Sequence, residues 1–64
     1  MNPTRKQKVI AKLIQGRNEI EDTLELDKPA ARYDSVILSD PLRDTLRSTI
    51  LMIEAVLQEL WATQ

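Results

Sequence analysis

The side chains best equipped for chemistry in this sequence are charged, and they fall into two blocks. Glu21, Asp22, Glu25 and Asp27 form the densest acidic group. Glu21 and Glu25, at i and i+4, would share a helical face and could lean on one divalent cation. No loop carries the spaced oxygen ligands and central Gly of a calcium hand, so a solvated acidic face is the expected reading. Arg5, Lys6, Lys8, Lys12 and Arg17 form the basic group, suited to phosphates or to an acidic protein surface. Neither aromatic residue, Tyr33 or Trp61, lies near them in sequence to stack on a base.

What is missing narrows the chemistry further. The chain has no Cys and no His. Disulfides, thiolate sites and the ordinary zinc ligands are therefore excluded, as are nucleophilic triads and His general bases. Gly16 is the single Gly, so a glycine-rich phosphate loop is excluded too. No catalytic residue, metal site or cofactor is expected, and the chain is not read as an enzyme. Net charge is −1, so bulk charge does not mark a nucleic-acid binder.

The elements that carry these charges are read from apolar spacing. Leu46, Ile50, Ile53, Leu57 and Leu60 recur at intervals of 4, 3, 4 and 3, which keeps one seam on one helical face. Leu42, Thr49, Met52 and Val56 flank that seam, while Leu51, Ala55 and Trp61 widen the apolar arc beyond what one partner helix covers. The expected helix covers about 40–63, with Asp40 as cap and Pro41 in the first turn. A first helix is expected over about 3–26, opened by Asn2 with Pro3 or alternatively by Thr4. Its row Ile10, Leu13, Arg17, Ile20, Leu24 repeats the 3-4-3-4 spacing, with Arg17 as a polar break. Gly16 beside it weakens the helix by about 1 kcal/mol relative to Ala, or lets another backbone come close.

Charge along the first helix runs against its own dipole, which favours acids at the start and bases at the end. All five bases precede residue 18, and Glu19, Glu21, Asp22, Glu25 and Asp27 follow it. An antiparallel copy of the same helix would set basic ends against acidic ends. Residues 27–39 form a connection longer than a minimal hairpin needs. Within it Val36, Ile37 and Leu38 are expected to cover the end of the bundle, to pair as a strand across a dimer, or to await a partner. Arg32 and Tyr33 are candidates for contact with a heterologous protein.

A 64-residue chain allows one small domain, marginal on its own. With no disulfide or metal to reinforce it, association is the remaining route to stability. The expected fold is all-α: a two-helix antiparallel hairpin that dimerises into a four-helix bundle. Its core and dimer interface are assigned to Ile10, Leu13, Ile20, Leu24, Leu46, Ile50, Ile53, Leu57, Leu60 and Trp61. In length and layout the chain is similar to the plasmid copy-number RNA-binding hairpins, which dimerise in this way; no motif is shared, so the likeness is one of architecture. The uncharged run 48–53 is far shorter than the ~20 residues of a membrane span, and no apolar leader follows the basic start. A cytoplasmic location, in a host cell if the source is viral, is the expectation.

The leading functional expectation is a non-catalytic protein-interaction module, a small regulator, inhibitor or adaptor that occludes a partner. Chains of this size and economy are common among phage and mobile-element antagonists. The rival is a nucleic-acid-binding helical dimer using the basic half of the first helix, and the third reading is a structural subunit of a larger assembly. The seam itself makes a test. Ile53→Asp should unfold or dissociate the protein, because it sets a carboxylate in the middle of the apolar row; an unchanged melting temperature and mass would place the seam in the wrong register.

Overall fold

The computed structural model describes residues 4–29 and 35–63, and in them the chain is two helices packed side by side. Helix α1 covers Arg5–Leu26 and helix α2 covers Asp40–Ala62. No strand occurs within the chain among the described residues.

Local side-chain chemistry sets the helix ends. Thr4 Oγ1 accepts from the Gln7 N–H at 3.1 Å, and the Thr4 N–H donates to Gln7 Oε1 at 2.9 Å. Two of the unpaired donors at the helix start are satisfied reciprocally, which makes Thr4 the cap and Arg5 the first helical residue. The alternative opening at Asn2 and Pro3 lies outside the described residues. At the other end the Asp27 N–H closes on the Thr23 carbonyl at 3.2 Å, and Pro29 prevents a further turn. Helix α2 begins at Asp40 as expected, but its cap lies one position before the expected Asp40. Ser39 is its cap, without a side-chain bond, so Asp40 serves as the first-turn acid near the positive end of the helix dipole.

Three contacts make the pairing antiparallel. Lys6 at the start of α1 reaches the Thr63 carbonyl beyond α2, Arg17 pairs with Glu54 at mid-length, and Asp27 pairs with Arg43 at the connection. Between them run Leu13, Ile20 and Leu24 of α1 and the row Leu46, Ile50, Ile53, Leu57, Leu60 of α2. Leu57 is 1% exposed and Leu24 9%, and the other members of both rows are half-buried. Trp61, assigned to the core or dimer interface, is 49% exposed in the hairpin, because its position rotates it to the flank of the seam.

A hairpin of this kind is a single layer. Its principal extents are 50 × 24 × 11 Å, and the short one is the thickness of one helix. The radius of gyration is 15.4 Å, against about 11 Å for a globule of this length. The accessible surface is 5482 Å², against roughly 4200 Å² for a compact domain of this mass. Both broad faces are left to solvent. Leu57→Ala should therefore cost about 2–4 kcal/mol by opening a cavity at the most buried position of the hairpin. Leu51→Ala, on the outer surface, should change stability by less than about 0.5 kcal/mol. Thermal unfolding of both variants checks the contrast.

Candidate functional site

Two places gather polar and apolar groups into something more than a helix surface. The first is the closed end of the hairpin. The Asp27 carboxylate accepts from the Ile37 N–H at 2.7 Å through Oδ1, and from the Leu38 N–H at 2.9 Å through Oδ2. Arg43 Nη2 donates both to that same Oδ2 at 2.8 Å and to the Asp27 carbonyl at 2.7 Å. One residue thus terminates α1, ties down the returning chain and anchors the start of α2. The N–H of Ile37, seconded by that of Leu38 and by the Arg43 guanidinium, holds the Asp27 carboxyl below its ordinary range; its partial burial pulls the other way. Leu38 is turned partly inward, but Ile37 is 90% exposed and Val36 is exposed as well, so the apolar run does not cover the end of the bundle as a unit. Leu38 and Ile37 instead edge a shallow cleft of about 250 Å³ with Thr23, Leu26 and Asp27.

This latch has only a faint signal in the sequence. Asp27 reads there as the last member of an acidic run, and Arg43 as one of the charges that interrupt a helix. The usable hint is position: Arg43 stands three residues before Leu46, turned toward the seam, where a cation needs a partner.

The second place is the open end. Ile10, Ala11 and Ile14 of α1 face Leu60 and Trp61 of α2 across a largely apolar cleft of about 740 Å³, with Lys6 and Thr63 at its mouth. A smaller cleft of about 160 Å³ adjoins it, between Arg17, Glu54, Leu57, Gln58 and Trp61. Trp61 is the wall between the two. The Arg17–Glu54 pair at 3.8 Å closes the inner end. Both partners are partly solvated, so the pair contributes little to stability, about 0–1 kcal/mol. Arg17 Nε is shielded there without a protein partner, and Arg17 Nη2 donates to Asn18 Oδ1 at 3.3 Å.

The basic block is split by this geometry. Lys6 and Arg17 turn toward α2, whereas Arg5, Lys8 and Lys12 are exposed and form no ion pair among the described residues. Ile10 and Leu60, assigned from the sequence to the core, border the open cleft. Arg32 and Tyr33 lie outside the described residues. Among the described residues no group of three acidic side chains converges on a metal position, and Glu21 and Glu25 are both exposed. No helix among them is long and apolar enough to cross a membrane.

No known protein family matches the chain, and no curated protein or solved structure shows significant similarity to it.

The latch carries a pH signature. A carboxyl group held below its ordinary value of 3.8 stabilises the folded state above that value, and the contribution is lost as the pH falls through the folded value. Asp27→Asn should lower the melting temperature at pH 7. The gap from the parent protein should narrow as the pH falls below about 4. Melting curves at pH 7 and pH 2.5 check the sign.

Proposed function

We propose that this protein is a non-catalytic protein-interaction module, a regulator, inhibitor or adaptor that works by occupying a partner's surface. Two copies of the hairpin pair into a four-helix bundle. The open-end cleft then takes an apolar anchor from a different protein, with Trp61, Ile10 and Ile14 as its walls. The observation that carries this reading is the balance of burial. Only Leu24 and Leu57 lie within the described core, while Leu42, Leu51, Met52, Val56 and Trp61 all remain exposed along α2. Large apolar faces on a small soluble-sized module mark interaction surfaces.

The chemistry of the open end supports a protein occupant. Its lining is apolar and aromatic, the composition of interface anchor pockets, and it holds no paired carboxylates or nucleophile to act on a substrate. Arg5 and Lys8, exposed on the same half of α1, favour a partner segment with acidic flanks. The nucleic-acid reading uses these two cations with Lys12. It lacks an aromatic platform beside them, and Lys6, which would extend the patch, already donates to the Thr63 carbonyl.

Light scattering after size exclusion should give a dimer mass. Trp61→Ala should keep that mass and the melting temperature within a few degrees. It should also lose a protein that the parent chain retains from a lysate of the source cell or its host. Identical retained proteins for both chains would sink the cleft as the contact. Steeply salt-dependent binding of RNA or DNA, abolished by Lys6→Gln, Lys8→Gln and Lys12→Gln together, would replace this reading by its rival.

A further inference from the structure

We propose that the second copy docks on the face opposite the cleft, helix against antiparallel helix, about a twofold axis that passes Gly16. This rests on the pairing of copies proposed above and specifies its geometry.

The two broad faces of the hairpin are told apart by the residues that share clefts. Ile10, Ile14 and Arg17 on one flank of the α1 seam meet Glu54, Gln58 and Trp61 on one flank of the α2 seam. The opposite flanks therefore share the other face. On α1 that flank is Val9, Lys12, Gly16, Glu19 and Thr23, spaced 3-4-3-4 with Gly16 at its centre. On α2 it is Thr45, Thr49, Met52, Val56, Glu59 and Thr63, a row whose one charged member is Glu59.

The α2 row reads the same from either end, and the α1 row does so to within one residue. Val9 stands seven residues before Gly16 and Thr23 seven after; Lys12 stands four before and Glu19 three after. An antiparallel copy crossing at Gly16 thus sets Lys12 against Glu19 twice, and Val9 against Thr23 twice. The register of the hairpin, fixed by Arg17–Glu54 and Asp27–Arg43, brings position 54 level with Gly16. About position 54, Met52 and Val56 are two residues before and after, and Thr45 and Thr63 nine before and after. The same axis therefore pairs Met52 with Val56 across α2. The same axis sets Thr49 against Glu59.

Three further features fit this face for burial. A Cβ added at Gly16 would meet nothing within 4 Å. The hairpin itself gives no reason for a residue that weakens the helix by about 1 kcal/mol, whereas a close crossing of two backbones does. The threonine hydroxyls are already satisfied in their own helices. Thr23 donates to the Glu19 carbonyl at 2.8 Å, Thr45 to Pro41 at 2.9 Å, Thr49 to Thr45 at 2.9 Å and Thr63 to Glu59 at 3.0 Å. They enter an interface without an orphaned donor. Finally, the surface of 5482 Å² exceeds that of a compact chain by roughly 1300 Å², more than the ~800 Å² per partner of a standard interface. Docking here leaves Trp61 and its cleft open for the heterologous partner.

The absence of native Cys makes the test direct. Gly16→Cys places its thiol on the axis, so oxidised full-length protein should run as a covalent dimer on a non-reducing gel, with the parent's mass in solution. Disulfide closure needs Cα atoms about 4.4–6.8 Å apart, which only a crossing at this residue supplies. Gln58→Cys, on the cleft face, should stay uncrosslinked. An equimolar mixture of Met52→Cys and Val56→Cys chains should crosslink in preference to either alone, which keeps the test independent of the glycine. Lys12→Glu should weaken dimerisation about tenfold, and Lys12→Glu with Glu19→Lys should restore it. A parent dimer in which Gly16→Cys and the mixture both fail to crosslink would overturn this geometry and leave the pairing of copies standing. Crosslinking of Gln58→Cys instead would move the interface to the cleft face. A parent chain that is a folded monomer would remove the interface and the pairing together.

Discussion

Two helices laid side by side touch along one line, and that constraint governs this molecule. A residue on the line is shielded from both sides only if the packing is centred on it, as at Leu57 and Leu24. A residue one position around the helix is shielded from one side and wet on the other. The half-buried state of Ile20, Ile50 and Ile53 is therefore set by layer count and not by poor packing. At about 25 cal/mol per Å² of apolar surface, those half-buried rows hold much of the stabilisation that a second layer would release.

The charge order of α1 takes on a different meaning once the helices are antiparallel. Bases at the start of α1 oppose its own dipole but stand beside the C-terminal end of α2, where cations are favoured, and Lys6 bonds the Thr63 carbonyl there. At the opposite end Asp27 stands beside the start of α2, where anions are favoured, and holds Arg43 and two loop amides. A sequence that looks wrong for one helix is right for its neighbour. The segregation thus serves the hairpin first, and the same pattern suits an antiparallel copy.

The two broad faces differ in chemistry, which bears on how one small chain could serve two associations. One face carries a cleft with a tryptophan wall and a partly solvated ion pair. The other carries threonines with satisfied hydroxyls around a glycine. Concavity with an aromatic wall suits capture of an anchor from outside, and threonines around a glycine suit close helix packing.

The fold was legible in the sequence wherever periodicity and local chemistry decide it. Apolar intervals of 3 and 4 determined both helices and the inward row of α2, because a helix commits each side chain to a face regardless of what lies opposite. Thr4 was legible as one of two possible caps, and its reciprocal hydrogen bonds with Gln7 were visible only in the structure. The latch was not legible, since Asp27 and Arg43 are 16 positions apart and meet only through the return of the chain. Nor was the exposure of Trp61, because apolar character does not say whether a residue falls on the line of contact or beside it. The sequence by itself determined which surfaces each helix would turn together. Only the tertiary structure decided which of them one neighbour could cover, because a single line of contact is narrower than the apolar arc of α2.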